Sequence, residues 1–173
     1  KFSNIVVATA DLVALKTLTT NLQTNGHGVL FVGSAGTGKT VLVRDFLRSL
    51  PIEKYNTATI NMNFFTGGLV LQASLEGVLQ KKTGSLYGPP GACHMVYFID
   101  DFNMPEKEMF GAQPPLEILR QWMEYEFWYD LKKQTQKKVV DTKIVAGMGH
   151  PGGGRTHISK RTLHKFHVLN MTS

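Results

Sequence analysis

The octapeptide Gly33-Ser34-Ala35-Gly36-Thr37-Gly38-Lys39-Thr40 satisfies the pattern G-x-x-x-x-G-K-[ST] in full, and no other stretch constrains the fold as strongly. The pattern works only where a strand runs into a helix, because loop N–H groups and the positive helix end must converge on one anion. Both neighbours are legible. Residues 28–33 (GVLFVG) form a short apolar run bounded by glycine, which predicts a buried strand. After the loop, Val43, Phe46, Leu47 and Leu50 recur at helical spacing while Arg44, Asp45 and Arg48 occupy other faces, and Pro51 stops the pattern. Lys39 is expected to meet the β- and γ-phosphates of a nucleotide as a point charge, and the Thr40 hydroxyl to bind Mg²⁺.

The rest of the chain alternates strands with helices. Residues 57–63 (TATINMN) predict a second strand, followed by a helix with Leu71, Leu75, Val78 and Leu79 on one stripe. Lys81 and Lys82 are expected in its last turn, opposing the negative helix end, with Gly84 as C-terminal cap. Residues 95–99 (MVYFI) predict the third strand, Pro114 and Pro115 open a helix with Leu116, Leu119 and Met123 inward, and residues 142–146 and 166–169 predict two more strands. Between residues 128 and 140, two β-prone runs flank KKQTQKK, a β-hairpin insertion whose lysines are expected to form a solvated tip. Such alternation predicts an α/β fold around a mostly parallel five-stranded sheet with helices on both faces.

Asp100 and Asp101 end the strand at 95–99, where side chains emerge beside the phosphate loop in a parallel sheet. Asp100 is the expected carboxylate at the Mg²⁺, and Asp101 the candidate for polarising an attacking water. The bland alternative is that the pair caps a helix or solvates a loop.

Length and composition set outer limits. The 173 residues suit one domain with a substantial core, and 42% hydrophobic residues against 18% charged ones argue against disorder. No apolar run approaches the roughly 20 residues that cross a bilayer, and the chain, which begins at Lys1, is expected to be a soluble piece of a longer protein. Cys93 is the single cysteine, so no internal disulfide can form, and a reducing compartment such as the cytosol suits it. The net charge of +6 favours a polyanionic partner: nucleotide, nucleic acid and tubulin all qualify.

Three further stretches have no reason to accompany a generic phosphate loop: residues 98–105 (FIDDFNMP), residues 111–115 (GAQPP) with 119–122 (LRQW), and residues 149–155 (GHPGGGR). In that order they resemble the third AAA module of dynein heavy chains, axonemal more than cytoplasmic, over essentially the whole chain. Thr9 to Asp11 is similar to the family's opening segment.

The resemblance implies a three-layer P-loop NTPase fold in which residues 1–173 form a single AAA large subdomain, without the helical small subdomain. It implies ATP or ADP with Mg²⁺ as ligands, held by Gly33, Ser34, Ala35, Gly36, Thr37, Gly38, Lys39, Thr40 and Asp100. Neighbouring AAA modules of the same chain, other dynein chains and, through distant regions, the microtubule are the implied partners. Membrane is not among them, and the implied place is the cytoplasmic cytoskeleton, in a cilium or flagellar axoneme. Arg161 resembles the arginine finger that reaches a neighbouring module's nucleotide; its bland alternative is a helix-end or surface charge.

Three departures bear on hydrolysis. Asp101 stands where AAA modules place Glu, one methylene longer. Met148 and Gly149 stand where many keep a polar sensor, and His164 stands where a second arginine is usual. The module is therefore expected to bind nucleotide while hydrolysing slowly, or to act chiefly as a structural, regulatory ring segment. A nucleic-acid-dependent ATPase explains only the charge: Arg155, Lys160, Arg161 and Lys165 lack an aromatic stacking platform, and an inter-module contact accounts for them more simply. His157, His164 and His167 gather no further metal ligands in the sequence. Phe127, Trp128 and Tyr129 are expected to pack at the hairpin base rather than form a partner patch.

Overall fold

The computed structural model describes residues 9–171. In chain order its elements are α1 (Ala10–Thr24), β1 (Gly28–Gly33), α2 (Lys39–Ser49), β2 (Tyr55–Asn61), α3 (Gly68–Glu76), β3 (Gln80–Lys81), β4 (Leu86–Gly88) and β5 (His94–Asp100). They continue with α4 (Pro114–Tyr125), β6 (Phe127–Tyr129), β7 (Gln136–Val139), β8 (Thr142–Met148), α5 (Lys160–Leu163) and β9 (Phe166–Met171). Five strands pair in the order β2-β5-β8-β1-β9, every pair parallel.

Side-chain alternation divides the core in two. Val29 and Phe31 of β1, Val96 and Phe98 of β5 and Val145 of β8 face α1 and α2, meeting Leu42, Val43, Phe46 and Leu47. Their neighbours Leu30, Val32, Tyr97, Ile99, Ile144 and Ala146 face α3 and α4, meeting Leu71, Leu75, Leu116, Leu119 and Trp122. A sheet buried on both faces explains why its strands read as continuous apolar runs. The expected three-layer α/β architecture is what the structure holds.

Register places the chemistry at one edge of the layers. Val32 pairs with Met148, Gly33 with Met171, Ile99 with Ala146 and Asn61 with Asp100, so the carboxyl ends of all five strands lie together. The chain leaves β1 there, passes over β8 and β5 to reach β2, and opens the crevice where parallel α/β sheets take ligands.

Several expectations need correction. The helix with Leu71 and Leu75 ends at Glu76, its Gly77 cap donating to the Ala73 carbonyl, and Lys81 and Lys82 do not belong to it. Gln80–Lys81 instead pairs antiparallel with Leu86–Gly88, and Gly84, at φ +59°, turns that hairpin rather than capping a helix. The second strand runs two residues earlier at each end than expected, Tyr55–Asn61. The hairpin of β6 and β7 forms, and β7 joins β4 to make a second sheet ordered β3-β4-β7-β6. Its lysines are not all a solvated tip. Lys137 is 13% exposed and wedged between Glu76 at 2.7 Å and Asp130 at 2.8 Å.

Of the three aromatics expected to pack at the hairpin base, Trp128 is core, Phe127 is half-buried and Tyr129 is 47% exposed. Trp128 is buried, stacks edge-on against Trp122 with centroids 5.6 Å apart, and donates its indole N–H to Glu76 Oε1 at 2.8 Å. The helix α1 has no counterpart in the sequence reading. Thr9 caps it by accepting from the Leu12 N–H, and its inward stripe mixes Leu12, Leu15 and Leu22 with buried Thr19 and Gln23. Gln23 donates at 2.8 Å to the carbonyls of His27 and Ile144, satisfying backbone at the base of β1 and β8. Among the described residues no helix is long and apolar enough to cross a membrane.

Candidate functional site

The loop between β1 and α2 carries its own scaffold. Gly36 and Gly38 have φ of +85° and +84°, a region L side chains avoid, and Gly38 stands at the N-cap of α2 without a capping side chain. No side chain therefore covers the first N–H groups of α2, which leaves that helix end available to an anion. A Cβ on Gly33 would lie 2.6 Å from the Met171 carbonyl oxygen, so β1 and β9 close here only around glycine. Thr37 Oγ1 donates to the Ser34 carbonyl at 3.0 Å, and Lys39 Nζ donates to the carbonyls of Gly33 at 2.8 Å and Ser34 at 2.7 Å.

The two acids arrive from β5. Thr40 Oγ1 donates to Asp100 Oδ2 at 2.7 Å, bridging the loop to the end of β5 across 60 residues. Asp100 Oδ1 accepts the Asp101 N–H at 3.0 Å, and a Cβ on Gly147 would lie 3.1 Å from that oxygen, so β8 makes room for the carboxylate. Asp101 takes φ +54°, tolerated by aspartate better than by most residues. A hydroxyl and a carboxylate side by side are hard oxygen donors of the kind Mg²⁺ accepts, so the residues present fit that cation.

Around them lies a cavity of about 340 Å³ lined by Ala35, Gly36, Gly38, Lys39, Thr40 and Val41 together with Asp100, Asp101, Gly149 and Arg155. The structure thus brings together the loop, Asp100 and Asp101. Arg161 does not line the cavity; it sits exposed at the start of α5, its N–H donating to Ser159 Oγ at 3.3 Å.

Arg155 was read in the sequence as the end of the stretch 149–155 and as part of a basic segment assigned to an inter-module contact, yet it borders the cavity. Its Nη2 lies 3.8 Å from Asp101 Oδ1, and its side chain crosses the α-carbon of Gly149 so closely that a Cβ there would stand 2.5 Å from Nε. The place at the end of β8 that was read as lacking a side chain is therefore filled by Arg155.

Two further residues escaped the sequence reading. Asn103, fully buried, donates from Nδ2 to the Gly149 carbonyl at 2.8 Å. Gln113 donates from Nε2 to the Pro105 carbonyl and to Thr156 Oγ1, both at 2.8 Å, while the Thr156 N–H reaches the Asn103 carbonyl at 2.9 Å. These bonds fasten both flanks of Arg155 to the segment after β5. The signal was present, in that Asn103, Gln113 and Arg155 each fall within the three stretches that carry the resemblance.

Charge in the cavity is mixed. Burial lowers the Lys39 ammonium pKa below its ordinary value, Asp100 pulls it back up, Arg155 lowers it again, and Asp101 opposes. Two cations and two carboxylates around one opening offer anchoring for phosphate and oxygen ligands for a divalent cation.

Comparison with known proteins agrees with this geometry. The chain matches the family described as "P-loop containing dynein motor region" over residues 1–173. It is 43% identical over 171 residues to dynein axonemal heavy chain 2 of Homo sapiens, covering 99% of this chain and 4% of that one. Against the Dynein-1-beta heavy chain, flagellar inner arm I1 complex, of Chlamydomonas reinhardtii it is 40% identical over 172 residues, covering 99% and 4%. Dynein axonemal heavy chain 12 of Mus musculus is 37% identical over 174 residues, covering 100% and 6%. The chain spans only a small fraction of these relatives' length. With the phosphate loop, the acids of β5 and the sheet order all in place, the chain belongs to the P-loop-containing motor region of the dynein heavy chains.

Proposed function

We propose that this chain is the large subdomain of the third AAA module of an axonemal-type dynein heavy chain, and that it binds Mg-ATP or Mg-ADP through residues 33–40 and Asp100. The observation that carries the reading is the 2.7 Å contact between Thr40 Oγ1 and Asp100 Oδ2, which joins loop and β5 on the floor of the cavity. In this reading Lys39 leaves the carbonyls of Gly33 and Ser34 to meet phosphate oxygens, and the loop N–H groups hold the same phosphates. Thr40 and Asp100 would hold Mg²⁺, which would supply positive charge to offset that of the phosphates.

Hydrolysis is proposed to be slow. Asp101 is the group assigned to polarise water, but it is short, it turns at φ +54°, and Arg155 competes for its carboxylate at 3.8 Å. Arg161, which does not line this cavity, is assigned to a neighbouring module's nucleotide. The parent motor, its partner modules and dynein chains, its microtubule track and its place in a cilium follow from the family and belong to this proposal. Titration calorimetry with Mg-ATP and Mg-ADP tests it, with Lys39→Ala alongside: binding that disappears in the variant supports the assignment, and binding unaffected by the substitution refutes it.

A further inference from the structure

We propose that Arg155 is the residue that distinguishes triphosphate from diphosphate at this site, its guanidinium exchanging Asp101 for the terminal phosphate when a nucleoside triphosphate is bound. The inference rests on the nucleotide-binding reading above and assigns a role to a residue outside the phosphate loop and the acids of β5.

Four observations converge. Arg155 lines the same cavity as Lys39, Thr40, Asp100 and Asp101. Its Nε is buried and without a hydrogen-bond partner, and its contact with Asp101, at 3.8 Å, is longer than a direct hydrogen bond, so the guanidinium has unused donors. A buried, unpaired donor is costly, and because Nε lies against Gly149 that cost is relieved when the side chain turns outward to a ligand. The groove it lies in exists because residue 149 is glycine: a Cβ would overlap Nε at 2.5 Å and Cδ at 2.7 Å.

The mount is rigid where it needs to be. Gly152, Gly153 and Gly154, with φ of +118°, +58° and +86°, make a tight turn in which Gly152 and Arg155 exchange N–H to carbonyl bonds at 3.0 and 3.1 Å. Thr156 on the other side is tied to Asn103 and Gln113. The backbone is held while the long side chain, which lines the cavity, remains 33% exposed. A planar fork of donors suits a phosphate with two free oxygens, and the terminal phosphate of a triphosphate adds charge that a diphosphate lacks. Asp101, released when Arg155 turns to that phosphate, is then free to engage water. The exchange ties the acid's availability to the presence of the terminal phosphate.

The test is titration calorimetry on the full chain with Mg-ATPγS and Mg-ADP, comparing Arg155→Met, Arg155→Lys and Gly149→Ala, with circular dichroism to verify folding. Arg155→Met is expected to weaken Mg-ATPγS on the order of tenfold or more, the worth of a charged hydrogen bond, and to leave Mg-ADP within about twofold. Arg155→Lys should recover part of the discrimination. Gly149→Ala should reproduce the loss without removing any charge, by pushing the guanidinium out of its groove. An unchanged triphosphate to diphosphate ratio in Arg155→Met, or equal weakening of both ligands, overturns the assignment while leaving nucleotide binding intact. If the unsubstituted chain binds neither ligand, the binding reading itself fails and this one with it.

Discussion

Replacing Thr40 with valine separates the structural from the ligand-holding contribution of the floor contact. Valine keeps the branched shape and removes the hydroxyl that donates to Asp100 Oδ2 at 2.7 Å. A hydrogen bond to a charged acceptor contributes roughly 1.5–3 kcal/mol when well buried, but both partners here are half-buried and water can replace the donor. The cost without ligand is therefore about 1–1.5 kcal/mol. For a chain of this size each kcal/mol moves Tm by about 2–4 °C, so the expected drop is about 2–6 °C. The second arm uses mass action. At about 100 times Kd, Mg-ATP stabilises by about 2.7 kcal/mol, a rise of about 5–11 °C in the unsubstituted chain. Thermal unfolding with and without Mg-ATP is the assay: Thr40→Val should lose the small intrinsic increment and nearly all of the ligand-induced rise, whereas Thr40→Ser should keep both. A valine variant that melts lower yet retains the full Mg-ATP rise would refute the placement of Thr40 at the cation.

Trp128→Ala removes a buried ring and its bond to Glu76, and is expected to cost about 3–5 kcal/mol in chemical denaturation; a cost below about 1 kcal/mol would make the hairpin a surface appendage. Gly33→Ala is expected to destabilise by about 1–3 kcal/mol and weaken nucleotide binding together, because its Cβ would press on the Met171 carbonyl at 2.6 Å; unchanged calorimetric binding would count against that. The Asp130 carboxyl is held well below the usual carboxylate range, first by its hydrogen bond from Lys137 and then by the Lys133 and Lys132 N–H groups, with burial opposing. A pKa depressed on folding stabilises above the ordinary carboxylate value near about 4 and that contribution fades as pH falls below it. The Tm advantage of the unsubstituted chain over Asp130→Asn should therefore be full at neutral pH and shrink on acidification below about pH 4; a pH-independent difference would contradict the ion-pair reading.

What could be read in advance depended on where the deciding interaction lies along the chain. The run GVLFVG, the loop and the stripe of Val43, Phe46 and Leu47 are contiguous, so local pattern alone predicts strand, turn and helix. The helix α1 hid because polar residues take part of its buried stripe: Thr19 is bonded to the Leu15 carbonyl, and Gln23 reaches Ile144, 121 residues away. Lys81 and Lys82 looked like a helix end because lysines after an apolar stripe ordinarily are one. Pairing with Leu86–Gly88, and of that strand with β7, makes this stretch a sheet instead, which is tertiary context overriding a local signal. Lys137 was taken for solvated charge since its two carboxylate partners are spread between α3 and the hairpin turn. Arg155 fell to the same difficulty: nothing local says that a residue six positions after Gly149 folds back across it.

The cavity's charges also bear on how such a module can act as a switch rather than a steady catalyst. Each cation already has an anionic or dipolar partner within the protein, Lys39 with the carbonyls of Gly33 and Ser34, Arg155 with Asp101. Phosphate must displace those partners, so binding is an exchange whose net gain is smaller than the new contacts alone. The exchange at Lys39 frees carbonyls within the loop, whereas the exchange at Arg155 frees a carboxylate at the start of the segment that runs from Asp101 to Asn103 and on to Gln113. That segment is bonded through Asn103 to Gly149 and through Gln113 to Thr156, so a shift of Arg155 loads both ends of the connection between β5 and α4. A ligand changes a conformational balance only through contacts that differ between states, and the terminal phosphate is the group that supplies such a difference here. In this proposal the two amide bonds are what ties the ends of the connection together. Replacing Asn103 with aspartate would set a carboxylate against the Gly149 carbonyl, breaking one of the bonds while keeping the side-chain size, and should uncouple the nucleotide state from α4 more than it weakens nucleotide binding.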